Sequence, residues 1–437
     1  MEKSTAPVDK WKLVYIIFYW LGICTLLPWN FFISVPAYWF FKYRAIVENT
    51  TMPIDSNTEL QDNWNPRLSV ASMVPNVTFL TLNAVFGHRF KTKPRLFFSL
   101  IMVILFFFYT CIMAKVNTDE WQSMFFNVTL ISVVFINTFA AIFQGGLLGV
   151  AGKFPGNYIG GVFSGQALGG IFASATNIVM LAFGASDQNS GFYSFIIACV
   201  FLLTSLVAFV AVTRTKFYKY YDGEGENKNV LEINPDGDQL MEKAPPPPES
   251  SGLKVNPLLV LKEIWVYALS VFLVFVVTLG CFPGITAAIK STGSGTWSTK
   301  FFVPVTCFLT FNVGDFIGRS LAEVLHFPKP HLRGSSWYIL MAAVLRVIFI
   351  PLFLFCNVSP SNRHMTSVIF ESDTIYILLM ILFSVSNGYI SSICMMSAPG
   401  IIKKPEEQST AASLMVAFLG LGLGVGGALS NVFVLFF

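Results

Sequence analysis

Long stretches of this 437-residue chain pass without a single Asp, Glu, Lys or Arg. They are Leu13–Phe41, Leu68–Gly87, Leu96–Ala114, Trp121–Gly152, Phe154–Ser186, Gly191–Thr213, Ile264–Ile289, Thr374–Ile402 and Gln408–Phe437. A helix needs about 20 mostly apolar residues to cross the hydrocarbon core of a bilayer. Inside lipid the backbone must satisfy its own hydrogen bonds, so only helices and closed barrels span it. These runs are too long for barrel strands and do not alternate, so they read as helices. Two more segments, 299–325 and 335–357, are apolar but contain charge. The expected fold class is an all-α polytopic membrane protein with eleven transmembrane helices, and the lipid bilayer is its surroundings.

Composition supports this reading. Hydrophobic residues make up 54% of the chain and charged residues 12%, against roughly 25% charged in soluble proteins. The net charge of +4 is spread over short loops with no basic stripe, which disfavours nucleic acid as a partner. Seven cysteines fall in or beside the runs without a CxxC, which points to packing rather than a disulfide framework.

The first run is too long for a cleaved signal peptide, and Trp29, Phe31 and Phe32 stand where small residues would be needed. With residues 1–12 placed in the cytoplasm, most Lys and Arg fall in cytoplasmic segments, as the positive-inside rule requires. An odd number of spans then puts Phe437 outside. Asn49-Thr-Thr in the first outer loop is a candidate glycosylation sequon.

Residues 214–262 divide the chain. They include Asp222-Gly-Glu-Gly-Glu226 and the run Pro245–Pro248, too polar to bury a core of their own. They are expected to form a disordered cytoplasmic loop. Six spans precede it (13–213, an N-lobe) and five follow it (263–437, a C-lobe). A solute site between two such lobes is a common transporter arrangement.

Polar groups within spans are costly and face a bundle interior or a cavity. Phe308, Asn312, Asp315 and Arg319 are spaced i, i+4, i+7 and i+11 and share one helix face. Asp315 and Arg319 are an oppositely charged i, i+4 pair. One reading is an ion pair that only locks helices or closes the cytoplasmic end. The preferred reading is that both bind polar groups of a solute, because a purely structural pair needs no aligned Asn and Phe. Gly314 and Gly318 form a GxxxG that admits a neighbouring helix. Weaker polar stripes are Gln166, Gly170, Ala173 and Asn177, and Ser384, Asn387 and Ser391; Gln144 is followed by Gly145, Gly146 and Gly149. Pro28, Pro75 and Pro283 are expected to kink their spans. Only Asp315 is a carboxylate well inside the membrane, whereas an intramembrane aspartyl protease needs two. No metal spacing, phosphate-cradling loop or nucleophile motif appears. Neither enzymatic activity, a cofactor nor a bound metal is expected, and no obligate protein partner is evident.

Several motifs carry a family resemblance. Thr25-Leu-Leu-Pro28-Trp29-Asn30-Phe-Phe and Cys307-Phe-Leu-Thr-Phe-Asn312-Val-Gly-Asp315-Phe-Ile-Gly318-Arg319-Ser320 resemble signatures of the equilibrative nucleoside transporters. Gln144-Gly-Gly-Leu-Leu-Gly-Val-Ala-Gly152, Ser164-Gly-Gln166 and Ser386-Asn387-Gly388-Tyr389 are similar too. The resemblance covers about residues 10–437. It implies a major-facilitator-like fold and sodium-independent facilitated diffusion of purine and pyrimidine nucleosides across the plasma membrane by alternating access. It implies a central cavity lined by Leu26, Trp29, Met73, Gln144, Phe308, Asn312, Asp315, Arg319 and Leu423. Gln144 would bond the nucleobase, and Asp315 and Arg319 the ribose hydroxyls. The competing expectation is a facilitator of nucleobases or another small polar solute, with proton linkage through Asp315 as a variant.

Overall fold

The computed structural model describes residues 7–46, 58–87, 90–155, 157–222, 256–329, 334–358 and 368–434. Asn49 lies outside them. The described chain is helical, with two isolated β-bridges, Ile289 to Val358 and Cys356 to Phe370. The long helices are α1 (Leu13–Ser34), α2 (Glu59–Phe86), α3 (Thr92–Lys115), α4 (Gln122–Ala151), α5 (Asn157–Ala182) and α6 (Asp187–Thr213). After the central segment come α7 (Pro257–Cys281), α8 (Thr310–Leu325), α9 (Ser335–Leu345), α10 (Asp373–Ile401) and α11 (Pro405–Val434). Among the described residues ten helical segments are long and apolar enough to cross a membrane. The remaining long helix, α2, carries Glu59, Gln61, Asn63 and Arg67 near its start, and packs between α4 and α11.

Proline explains where helices and the expected spans part company. The first run breaks at Val35, and Pro36 opens a second helix, Pro36–Lys42. The residue before proline is pushed out of the helical region, while proline itself fits the first helical turn. Pro28 and Pro75 lie inside α1 and α2. Pro283 does not lie inside a helix: α7 ends at Cys281, and Phe282 is extended (φ −105°, ψ 133°). The span expected through Ile289 finishes instead in a short 3-10 turn, Thr286–Ala288.

Two other spans are irregular. Wide π-helical turns, Trp297–Phe301 and Val303–Leu309, lead into α8, and Thr310 Oγ1 donates to the carbonyl of Val305 at 2.9 Å. α9 tightens at Arg346–Ile348 before a last helical turn, Phe349–Leu354. The segment expected as a loop over 214–262 is helical toward both ends, and residues 223–255 lie outside the described residues. Thr215 caps a helix over Lys216–Tyr221 by accepting from Tyr218 N at 3.2 Å. Asp222 then pairs with Lys93 at 3.1 Å and Lys153 at 2.9 Å, and Asn256 caps α7.

Glycine sets how closely the helices approach. α1 packs on α5, where a Cβ on Gly22 would overlap the Val162 carbonyl and one on Gly165 the Tyr19 carbonyl. α7 packs on α11 in the same manner, Gly422 facing Phe272 and Gly426 facing Val276. Likewise α2 packs on α4 and α8 on α10. Contacts between helices before and after the central segment are made chiefly by α2 with α11 and α5 with α8. Exchanging α1 with α7, α2 with α8, α4 with α10 and α5 with α11 carries each of these contacts onto another.

Candidate functional site

The polar stripe on α8 is buried between α5 and α10. Asp315 and Arg319 are each 5% exposed. One helical turn brings their side chains together, and Arg319 Nε donates to Asp315 Oδ2 at 2.8 Å. Gly314 and Gly318 allow this depth: a Cβ on Gly314 would meet Ser384, and one on Gly318 the Val385 carbonyl, both on α10. From the other side, Gly388 on α10 faces the Asp315 carbonyl.

Each polar group of the stripe reaches a neighbouring helix. Asn387 Nδ2 on α10 donates to Asp315 Oδ1 at 2.7 Å. Arg319 Nη1 donates to the Phe163 carbonyl on α5 at 3.1 Å. Asn312 Nδ2 donates to Ser174 Oγ on α5 at 2.9 Å and to the Phe308 carbonyl at 2.9 Å. A Cβ on Gly170 would overlap that amide, so glycine makes room for it. One turn beyond Arg319, Ser164 Oγ donates to Glu323 Oε1 at 2.5 Å. Gln166 Nε2, on the same helix as Ser164, is buried without a hydrogen-bond partner among the described residues.

Phe308 lies in the π-helical lead into α8, 6% exposed, with its ring edge-on to Phe282 at 5.6 Å. Leu26 and Trp29 are half-buried on α1, Gln144 is buried on α4, and Leu423 is half-buried on α11. Met73 on α2 is buried, and its Cγ lies 3.4 Å from where a Cβ on Gly427 of α11 would sit. The structure thus joins Asp315 to Arg319 directly and sets Asn312 one turn away. Among the described residues no hydrogen bond joins Gln144 to this group.

The chemistry available is that of a polar clamp. Each carboxylate oxygen accepts one bond here and has lone-pair capacity left, and Arg319 keeps further N–H donors. Together they can accept from one hydroxyl and donate to another. Desolvating such a pair costs as much as or more than its attraction returns, so a stability role alone is a poor reason to keep it in a membrane. Among the described residues no group of three or more His, Cys, Asp or Glu is placed to hold a metal ion.

Three further polar residues join this network, and the sequence pattern did not single them out for it. Thr278 on α7 donates to Asn387 Oδ1 at 2.7 Å. Arg346, at the tightening of α9, donates to Thr278 Oγ1 at 2.8 Å. Glu323 extends the stripe by one turn. Arg346 is the charge within the apolar segment 335–357, and it has no oppositely charged neighbour at helical spacing.

Known proteins resemble the chain over its whole length. A family model described as nucleoside transporter matches residues 130–435. Human equilibrative nucleoside transporter 1 is 36% identical over 468 aligned residues, covering 99% of each chain. Mouse equilibrative nucleoside transporter 2 is 36% identical over 99% of each chain. Rat equilibrative nucleoside transporter 3 is 32% identical over 97% of this chain and 89% of its own. Among solved structures, a mutant of the nucleoside transporter NupG superposes with a TM-score of 0.56 at 12% identity, covering 97% of this chain and 96% of that one. The major facilitator superfamily proton:xylose symporter XylE gives 0.59 at 10% identity, over 98% and 96%. At such identities these two structures speak to the fold, which is major-facilitator-like.

Proposed function

The chain belongs to the equilibrative nucleoside transporter family, and from that premise we propose how its own residues carry out facilitated nucleoside transport. It is a multi-pass membrane transporter and not an enzyme. Substrate binds where α8 is buried between α5 and α10, with Asp315 and Arg319 turned toward the ribose hydroxyls. Asn312 stands beside them, Gln144 takes the base, and Leu26, Trp29, Met73, Phe308 and Leu423 supply apolar surface. The transporter runs without sodium, at the plasma membrane, with eleven spans, a cytoplasmic N-terminus and an outer C-terminus. Its lobes are 13–213 and 263–437, a division supported by the exchange relation among helix contacts. Transport parts and rejoins the α5–α8 and α2–α11 seams in turn, which is alternating access.

The observation that carries the site assignment is the buried Asp315–Arg319 pair, bonded at once to α10 through Asn387 and to α5 through Phe163. Any substrate that draws on this pair alters both contacts, so binding and rearrangement are coupled. The test is uptake of labelled adenosine and uridine into cells lacking endogenous transporters. Saturable uptake, unchanged when sodium is replaced and inhibited by both nucleosides, is expected. A hydrogen bond to a charged group contributes about 1.5–3 kcal/mol. Asp315→Ala and Arg319→Ala should therefore each lower uptake about tenfold or more while surface protein persists. Wild-type kinetics in both variants would remove these residues from the site. Competition by nucleobases but not nucleosides would assign a different solute.

A further inference from the structure

Arg346 is 2% exposed and sits deep in the bundle. Its guanidinium donates to Thr278 Oγ1 at 2.8 Å, to the Phe383 carbonyl at 2.8 Å, and to Ser386 Oγ. All three partners are neutral. An arginine can only donate hydrogen bonds, and an ionised aspartate can only accept them. Between Arg346 and Asp315 lie two groups that can do either, Thr278 and Asn387. Because Thr278 Oγ1 accepts from Arg346, its single proton is free to donate onward. That proton is shared between Asn387 Oδ1 and the Val274 carbonyl, both at 2.7 Å. Asn387 then turns its Nδ2 to Asp315 Oδ1 at 2.7 Å. Arg346 can only donate to Thr278, and Asp315 can only accept from Asn387, so the bonds at the two charged ends each run one way. Reversing the amide would set acceptor against acceptor at Asp315 and leave the Thr278 proton to the Val274 carbonyl alone.

We propose that Arg346 is a positioning residue for nucleoside recognition, acting through Thr278 and Asn387 to hold Asp315 in the orientation that reads the ribose hydroxyls. This rests on the assignment of Asp315 to the ribose. Arg346 touches no substrate. It converts the position of α9 into the angle of a carboxylate on α8, through one side chain each from α7 and α10. Ser386 and the Phe383 carbonyl anchor the guanidinium but stand outside the chain of bonds.

The test separates positioning from simple anchoring. KM and maximal rate are measured for uridine and for 2′,3′-dideoxyuridine, which lacks the 2′ and 3′ hydroxyls, and the ratio of the two KM values is the readout. Thr278→Val keeps the shape and deletes the central hydroxyl. It should reduce the preference for uridine about tenfold, the scale of one hydrogen bond to a charged group. Thr278→Ser should restore the preference, and Ser386→Ala should leave it unchanged. Arg346→Lys, which keeps the charge but not the planar fork, should show the same loss and serves if the valine protein does not reach the surface. A wild-type preference in Thr278→Val or Arg346→Lys, with the preference lost in Asp315→Asn, overturns the relay and leaves the ribose assignment standing. A preference retained in Asp315→Asn overturns both.

Discussion

Ser164 on α5 and Glu323 on α8 meet at 2.5 Å, hydroxyl to carboxylate. A Cβ on Gly160 would come within 3.0 Å of the same carboxylate oxygen. With Arg319 on the Phe163 carbonyl and Asn312 on Ser174, this gives the α5–α8 seam three polar ties along its length.

Removing one tie should shift the balance of conformations. Ser164→Ala deletes a bond to a charged group, worth about 1.5–3 kcal/mol, and should raise the population with parted α5 and α8 ends about tenfold. Spin labels at the exposed positions Lys216 and Leu325 would read this as added population at longer distance. An unchanged distance distribution would show that the tie does not hold the seam.

Glycine-mediated contact predicts a contrast between two substitutions. In Gly388→Ala the new methyl meets the Asp315 carbonyl, and overpacking of this sort costs about 1–3 kcal/mol. Gly149 lies in the helical part of α4 and has nothing within 4 Å of its would-be Cβ. Alanine there relieves a helix penalty of about 0.5–1 kcal/mol. Thermal unfolding in detergent should place Gly388→Ala below the wild type and Gly149→Ala level with or above it. Equal effects would refute the contact-based account.

A buried lysine outside the spans predicts a dependence on pH. Lys42 Nζ donates to the Val116 carbonyl at 2.7 Å and the Met113 carbonyl at 3.2 Å. Burial pushes its ammonium group down to about 8, with Asp119 opposing the shift and Arg44 adding to it. An unfolded lysine titrates near 10.4, so between about pH 8 and 10.4 the unfolded chain binds more protons. Stability then rises with pH through that window. The contribution is complete above the unfolded value and lost as pH falls through the folded one. The melting temperature of the wild type should climb from pH 8 to 10, and Lys42→Met should flatten the climb. A parallel climb in both proteins would exclude Lys42 as its source.

The parts of this fold that were legible in the sequence are those governed by local rules. Charge-free length marks the helices, and the spacing of Phe308, Asn312, Asp315 and Arg319 places them on one face. Family motifs extend the reading to the transported solute. At Pro283 the apolar span runs on past Cys281, while the missing N–H and the restricted residue before it end the regular helix. The π-helical turns before α8 leave no mark on hydropathy. The partners Thr278 and Ser164 are ordinary hydroxyls on long helices, and only the packing of α7 on α10 and α5 on α8 gives them a role. For Arg346 the charge was visible but the neutral groups that compensate it come from two other helices.

The two seams between the halves of the chain are related by exchange yet built from unlike material. On α11, Gly420 and Gly424 lie against Leu80 and Val77 of α2, and Gly427 lies against Met73. Apolar side chains meet bare backbone there. The α5–α8 seam is held by Asn312, Arg319 and Glu323. One side of the machine is therefore a bearing and the other a latch. With Asp315 and Arg319 binding the nucleoside as proposed, release of the latch and recognition of the cargo would draw on one set of side chains.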